Sequence, residues 1–209
     1  MDKSEQAVAL FDKLAELYAQ KYNDVSLYTE ALDYFCTLVA ADATLLDVAC
    51  GPGNITKYIA ERLPTVSITG MDLADNMLRI AAENVPNAKF INMDARLIAK
   101  LQSRYSAVVC AFCFPYLSQE EVVQFVADAT NVLQNDGVFY LSFIEGPYLQ
   151  SGYEKSSTGE EVYMHYHEAK YMQDAFMQNG LEILQTYRMA YQTQYGKPCN
   201  DCVIIAMLK

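Results

Sequence analysis

Positive charge is scarce in this chain. Its 209 residues carry 15 Lys and Arg against 26 Asp and Glu, a formal net charge of -11. A basic stripe that could follow a phosphate backbone is absent, which argues against nucleic acid as a partner. Long apolar runs are missing too: no stretch reaches the roughly 20 apolar residues needed to span a bilayer, so no membrane partner is expected. The segment Met1–Leu10 carries Asp2, Lys3 and Glu5 and has no apolar core, so no secretory signal is read there. No Pro/Gly/Ser-rich linker is long enough to divide two domains, and there is no internal repeat or low-complexity segment. The six cysteines fall mostly inside apolar runs, as reduced buried thiols do, and a cytoplasmic location is the default expectation.

What is present is a core. The chain is 52% hydrophobic, enough for one packed domain. Val8, Leu10, Phe11, Leu14, Leu17 and Tyr18 have helical spacing over residues 4–22, and a second helix is expected over residues 27–40. From Thr44 the pattern alternates. Strand-like runs at residues 45–49, 67–71, 89–93, 107–112 and 137–143 are separated by helix-like runs at 54–62, 74–84, 96–101 and 120–132. Such alternation implies an α/β fold with a parallel sheet covered on both faces. A helix over residues 168–179 then ends at Gly180. Strands at 181–194 and 201–208 follow, joined by a linker (195–200) too short for a crossover, so they are expected to pair antiparallel.

The most informative stretch runs from Leu45 to Thr56. It reads as a buried strand, a glycine turn at Gly51-Pro52-Gly53 and a helix start, a layout that brings backbone N–H groups close to a ligand. Asp47 lies within this first strand, Asp72 closes the second and Asp94 the third. In a doubly wound sheet, ligands sit at the carboxyl edge of the strands, where these acids map. Asp72 suits a ribose diol, Asp94-Ala95 an exocyclic amine, and Asp47 either anchors the turn or meets an ammonium group. Each acid could instead be a helix cap or turn anchor.

An NAD(P)-dependent oxidoreductase is one alternative, but Thr56 stands where the third glycine of G-x-G-x-x-G belongs. The Tyr166…Lys170 pair has a dehydrogenase-like spacing, which chance readily supplies in a chain with 16 tyrosines. Residues 45–56 resemble the first motif of the class I S-adenosylmethionine-dependent methyltransferases, with Ala49 where glycine is commoner. Residues 70–78 resemble that family's second motif and Asn92-Met93-Asp94-Ala95 its adenine motif. The resemblance covers roughly residues 20–209. It implies a Rossmann-like, doubly wound, seven-stranded, mostly parallel sheet with an antiparallel final hairpin, preceded by N-terminal helices.

The same resemblance implies S-adenosyl-L-methionine as cofactor and methyl transfer to a small-molecule acceptor by direct in-line displacement. A cofactor-binding protein without catalysis is a further alternative. Asp47, Ala49, Cys50, Gly51 and Gly53 would hold the methionine part, and Asp72, Leu73 and Met77 the ribose. Met93, Asp94 and Ala95 would frame adenine, Ala111 and Phe112 would line the sulfonium, and Tyr22 would cover the cofactor. Tyr18, Phe114, Tyr116, Glu145, Tyr148, His165 and His167 are acceptor-side candidates, with Tyr153 and Tyr166 near them. The family has no universal catalytic residue, so none is assigned. Residues 1–43 would form a helical cap, 44–144 the cofactor-binding core, 145–180 a substrate-side insertion and helix, and 181–209 the final hairpin of a single domain.

No metal site is expected. His165 and His167 would share a strand face without a third ligand, and the C-x-x-C pairs Cys110/Cys113 and Cys199/Cys202 should each point to opposite faces.

Overall fold

A computed structural model describes residues 3–155, 159–192 and 198–209. The chain opens with α1 (Lys3–Lys13) and α2 (Ala15–Tyr22), where sequence periodicity predicted one helix. Leu14, at φ -102° and ψ 14°, leaves helical geometry and breaks it. A 3-10 turn at Ser26–Tyr28 leads into α3 (Thr29–Leu38).

The core is then β1 (Thr44–Val48), α4 (Asn54–Arg62), β2 (Ser67–Asp72), α5 (Asp75–Asn84), β3 (Lys89–Asn92), β4 (Tyr105–Ala111), α6 (Gln119–Val132) and β5 (Leu133–Glu145). The stretch between β3 and β4 is a 3-10 turn, Ala95–Lys100. The Asn135-Asp136-Gly137 turn lies inside β5 as an irregularity. Tyr105 pairs with Leu133 and Ala107 with Val138, and Asp136 takes φ +59° to absorb the extra residues.

The polar stretch after β5 contains two strands that its composition did not signal, β6 (Gly152–Lys155) and β7 (Glu161–Met164), paired antiparallel as a separate sheet. Next come α7 (Ala169–Gln178), β8 (Leu181–Gln192) and β9 (Pro198–Leu208). Gly180 follows α7 at φ +77°, the left-handed stop expected of a glycine there. The predicted linker at 195–200 and the end of the preceding strand at 193–194 lie in part outside the described residues, while 198–200 belong to β9.

The seven-stranded sheet runs β3-β2-β1-β4-β5-β9-β8. Strands β3 to β5 are parallel, and β9 joins β5 and β8 antiparallel, as expected. The strand order reverses between β1 and β4, which opens a crevice at their carboxyl ends. Leu45, Leu46 and Val48 of β1 are fully buried because helices cover both faces. One face packs Phe125, Phe139 and Phe176, and the other packs Leu32, Phe35 and Tyr140. Among the described residues no helix is long and apolar enough to cross a membrane.

Candidate functional site

Beyond β1 the backbone turns through three left-handed residues, Ala49 (φ +53°), Gly51 (φ +53°) and Gly53 (φ +82°). Gly53 is favoured by close packing as well, since a Cβ there would sit 3.2 Å from the Cα and Cβ of Ala81 in α5. At Gly51 a Cβ would meet nothing within 4 Å, so this backbone faces open space. The Cys50 N–H donates to the Met71 carbonyl (3.0 Å), and its thiol lies beside Gly70, 3.0 Å from where a Cβ would be. Cys50 therefore ties the turn to β2, and burial holds its thiol well above the usual range.

Asp72 ends β2 beside this turn. One carboxylate oxygen accepts the Gly51 N–H and the other the Ala74 N–H, both at 2.9 Å. Burial raises its pKa while those N–H groups pull it down. Asp47, 1% exposed, lies beneath the turn and accepts from the Thr56 hydroxyl at 2.5 Å. Burial pushes it up to about 7, against the Thr56 hydrogen bond and helped by the Asp72 charge. Asp94 accepts the Arg96 N–H (2.8 Å) and faces the Arg96 guanidinium (2.7 Å), whose other nitrogen reaches Glu121 at 3.1 Å. Asp94 is thus a cap and an ion-pair partner as well as a wall of the site.

A cleft of about 810 Å³, open mouth included, lies over these groups. Of the residues expected to hold the cofactor, Ala49, Gly51, Asp72, Leu73, Met77, Met93, Asp94, Ala95, Ala111 and Phe112 line it. Phe112 takes φ +55° at the end of β4, so both strands flanking the crevice end in a left-handed non-glycine residue. Asp47, Cys50 and Gly53 stand behind the wall and shape the turn. Tyr22 is 46% exposed and reaches the cleft only through the ring of Tyr18, 4.5 Å away.

On the expected acceptor side, Tyr18 and Tyr116 line the cleft, and the others are placed elsewhere. Phe114 is fully buried and packs edge-on against Phe125 at 5.4 Å. His167 is also fully buried, and its Nε2 lies 3.0 Å from the Phe114 carbonyl and 3.2 Å from that of Leu117. Two carbonyl partners make Nε2 the donor and leave Nδ1 a buried acceptor without a partner. Burial lowers the pKa of both His167 and His165. The His165 N–H donates to the Pro115 carbonyl (2.7 Å) and its ring stacks on Tyr148 at 5.8 Å. These residues brace the turn after β4 and do not line the cleft. Glu145 pairs with Arg188 at 2.7 Å, and Tyr166 donates to Glu154. Tyr153, 56% exposed, packs edge-on against Tyr163.

Cys110 and Cys113 lie on the same face, contrary to expectation, because the left-handed Phe112 ends the strand between them. Among the described residues no group of three or more His, Cys, Asp or Glu is arranged to hold a metal.

Sequence reasoning placed a helical cap over residues 1–43 but did not name the α1 residues that line the site. Ser4, Ala7, Val8 and Phe11 line the cleft, and Leu117 closes it from the β4–α6 turn. The only signal was the apolar face of α1, which in a sequence is indistinguishable from ordinary packing.

Residues 45–137 match a family profile described as a methyltransferase domain. The chain is 32% identical over 83 residues to "Putative methyltransferase 235L" of Invertebrate iridescent virus 6, covering 40% of this chain and 31% of that protein. It is 45% identical over 53 residues to trans-aconitate 2-methyltransferase of Rhodopseudomonas palustris (strain HaA2), covering 25% and 21%. The chain thus spans about a third or less of the length of these two relatives. Its fold is similar to magnesium protoporphyrin IX methyltransferase from Synechocystis PCC 6803 with bound SAH, with TM-score 0.75, 14% identity and full coverage of both chains.

Proposed function

We propose that this chain, a member of the class I S-adenosylmethionine-dependent methyltransferases, transfers a methyl group from S-adenosyl-L-methionine to a small-molecule acceptor. The observation that carries this reading is the pairing of Asp72 with the open backbone of Gly51. A carboxylate and a glycine with an open Cβ position share one cleft, and the space a Cβ would fill at Gly51 is free for a ligand.

The two N–H bonds to Asp72 fix its carboxylate and leave further lone pairs to accept from a ribose diol. Leu73, Met77 and Met93 offer apolar surface to the nucleoside, and Asp94-Ala95 the polar edge for an adenine amine. Ala49 and Gly51 face the methionine part, while Asp47 and Cys50 hold the turn from behind. Ala111 and Phe112, at the end of β4, stand where the acceptor would meet the methyl group. Residues 44–144 act as the cofactor-binding core of one domain, 1–43 as its cap, 145–180 as the acceptor side and 181–209 as the hairpin that completes the sheet.

When bound, S-adenosylmethionine supplies a sulfonium methyl open to attack by an acceptor lone pair, the electrons of the broken carbon–sulfur bond staying on sulfur. The chain's own work is to align the acceptor and exclude water. That work fits α1, whose Val8 and Phe11 close the cleft.

Thermal unfolding with S-adenosylmethionine, S-adenosylhomocysteine, NAD and NADP tests the reading. A true ligand at a hundredfold excess over its Kd adds about 2.7 kcal/mol of stability. Stabilisation by the two sulfur nucleosides alone is expected; stabilisation by NAD or NADP alone would replace the reading with an oxidoreductase.

A further inference from the structure

Every charged group on the cleft wall is already engaged within the chain. Asp72 accepts two backbone N–H groups. Arg96, the one cation lining the cleft among the described residues, holds Asp94 and Glu121. The Ser4 hydroxyl donates to the Tyr116 carbonyl at 3.2 Å. What remains opposite the acids is a row of rings. Phe11 meets Tyr116 edge-on at 5.0 Å and Tyr18 at 5.5 Å, and Tyr18 leads to the exposed Tyr22 at 4.5 Å. The row runs from the end of the cleft nearest β4 out to the surface.

We propose that the methyl acceptor is an uncharged molecule carrying a flat apolar ring, seated against Phe11 and Tyr116, and that polycarboxylates are rejected. The proposal rests on the methyl-transfer reading. A ring lying against the Phe11–Tyr116 pair, whose rings are themselves in edge-on contact at 5.0 Å, gains edge and face contacts of the same kind. A polycarboxylate would have to leave water for a wall that, among the described residues, carries two carboxylates and no uncommitted cation, in a chain of net charge -11. An anion buried without a partner is strongly disfavoured.

The test uses the full chain saturated with S-adenosylhomocysteine and two probes at matched ionic strength, 2-naphthol and citrate. The expected result is a rise in Tm with 2-naphthol and none with citrate. Phe11→Ala should weaken 2-naphthol at least tenfold and S-adenosylhomocysteine less than threefold. Phe11→Tyr, which keeps the ring, should retain the response and separates loss of the site from loss of the fold. A citrate response, or silence of 2-naphthol in the loaded protein, overturns this proposal alone. Failure of S-adenosylhomocysteine to bind overturns the methyl-transfer reading together with it.

Discussion

Asp72 accepts the backbone N–H of Gly51 at 2.9 Å, joining the turn after β1 to the end of β2 across 21 residues of sequence. The acid and the glycine turn are therefore one unit, and the pose of each depends on the other. Gly51 sits at φ +53° with open space before it. Gly51→Ala is expected to cost about 1–2 kcal/mol of stability through left-handed strain. Its methyl group would also stand in the ligand's place, so S-adenosylhomocysteine affinity should fall at least about tenfold, or 1.4 kcal/mol. Calorimetry with parallel denaturation separates the two effects; unchanged affinity would mean that no ligand approaches this backbone.

Ala49 carries the same strain without a glycine's freedom, at φ +53°. Ala49→Gly is expected to stabilise the protein by about 0.5–1 kcal/mol, the relief at the left-handed angle exceeding the gain in unfolded-chain entropy. Urea denaturation reads this directly, and a loss of stability would show that the Ala49 methyl contributes packing that outweighs the strain.

Asp47 makes stability depend on pH. Its carboxyl sits near 7 in the folded chain and about 3.9 when unfolded. The native state thus keeps a proton that the unfolded chain gives up, and stability falls as pH rises from about 4 to about 7. Asp47→Asn keeps an acceptor for Thr56 and removes the titration. Its stability relative to wild type should improve from pH 5 to pH 8 in the ligand-free protein, and a constant difference would place the Asp47 pKa near its unfolded value.

His167 has the opposite sign. Burial lowers its pKa below the unfolded value of about 6.5, so the native state resists the proton and stability falls as pH drops below that value. Its Nε2–H holds the carbonyls of Phe114 and Leu117. His167→Ala should cost about 1–3 kcal/mol by leaving buried carbonyls unpaired, and should flatten the acid limb of the stability profile. An acid limb identical to wild type would show that another group causes it.

The sheet was legible because β1 to β5 alternate with helical segments and the apolar runs of β1, β2, β4 and β5 are largely buried, while the edge strand β3 is only half-buried. The carboxyl edge was legible because Asp72 and Asp94 close successive strands beside a glycine turn. Of the acceptor-side candidates, the structure brings Tyr18 and Tyr116 to the cleft wall and places the others away from it. Phe114, His165 and His167 look like ligand contacts in a sequence, since buried aromatics bracing a turn and aromatics facing a cleft have the same composition. Their true role depends on where β6 and β7 fold back, which no local pattern encodes. The α1 helix was expected as part of a cap, but its apolar spacing could not tell which residues face a cleft and which pack, and Val8 and Phe11 line the cleft.

The most direct test of the account is calorimetric titration of S-adenosylhomocysteine into the wild type and Asp72→Ala. The account expects one site per chain in the wild type and an affinity at least about tenfold weaker, 1.4 kcal/mol or more, in the variant. Equal binding by both proteins, or none by the wild type, would contradict it.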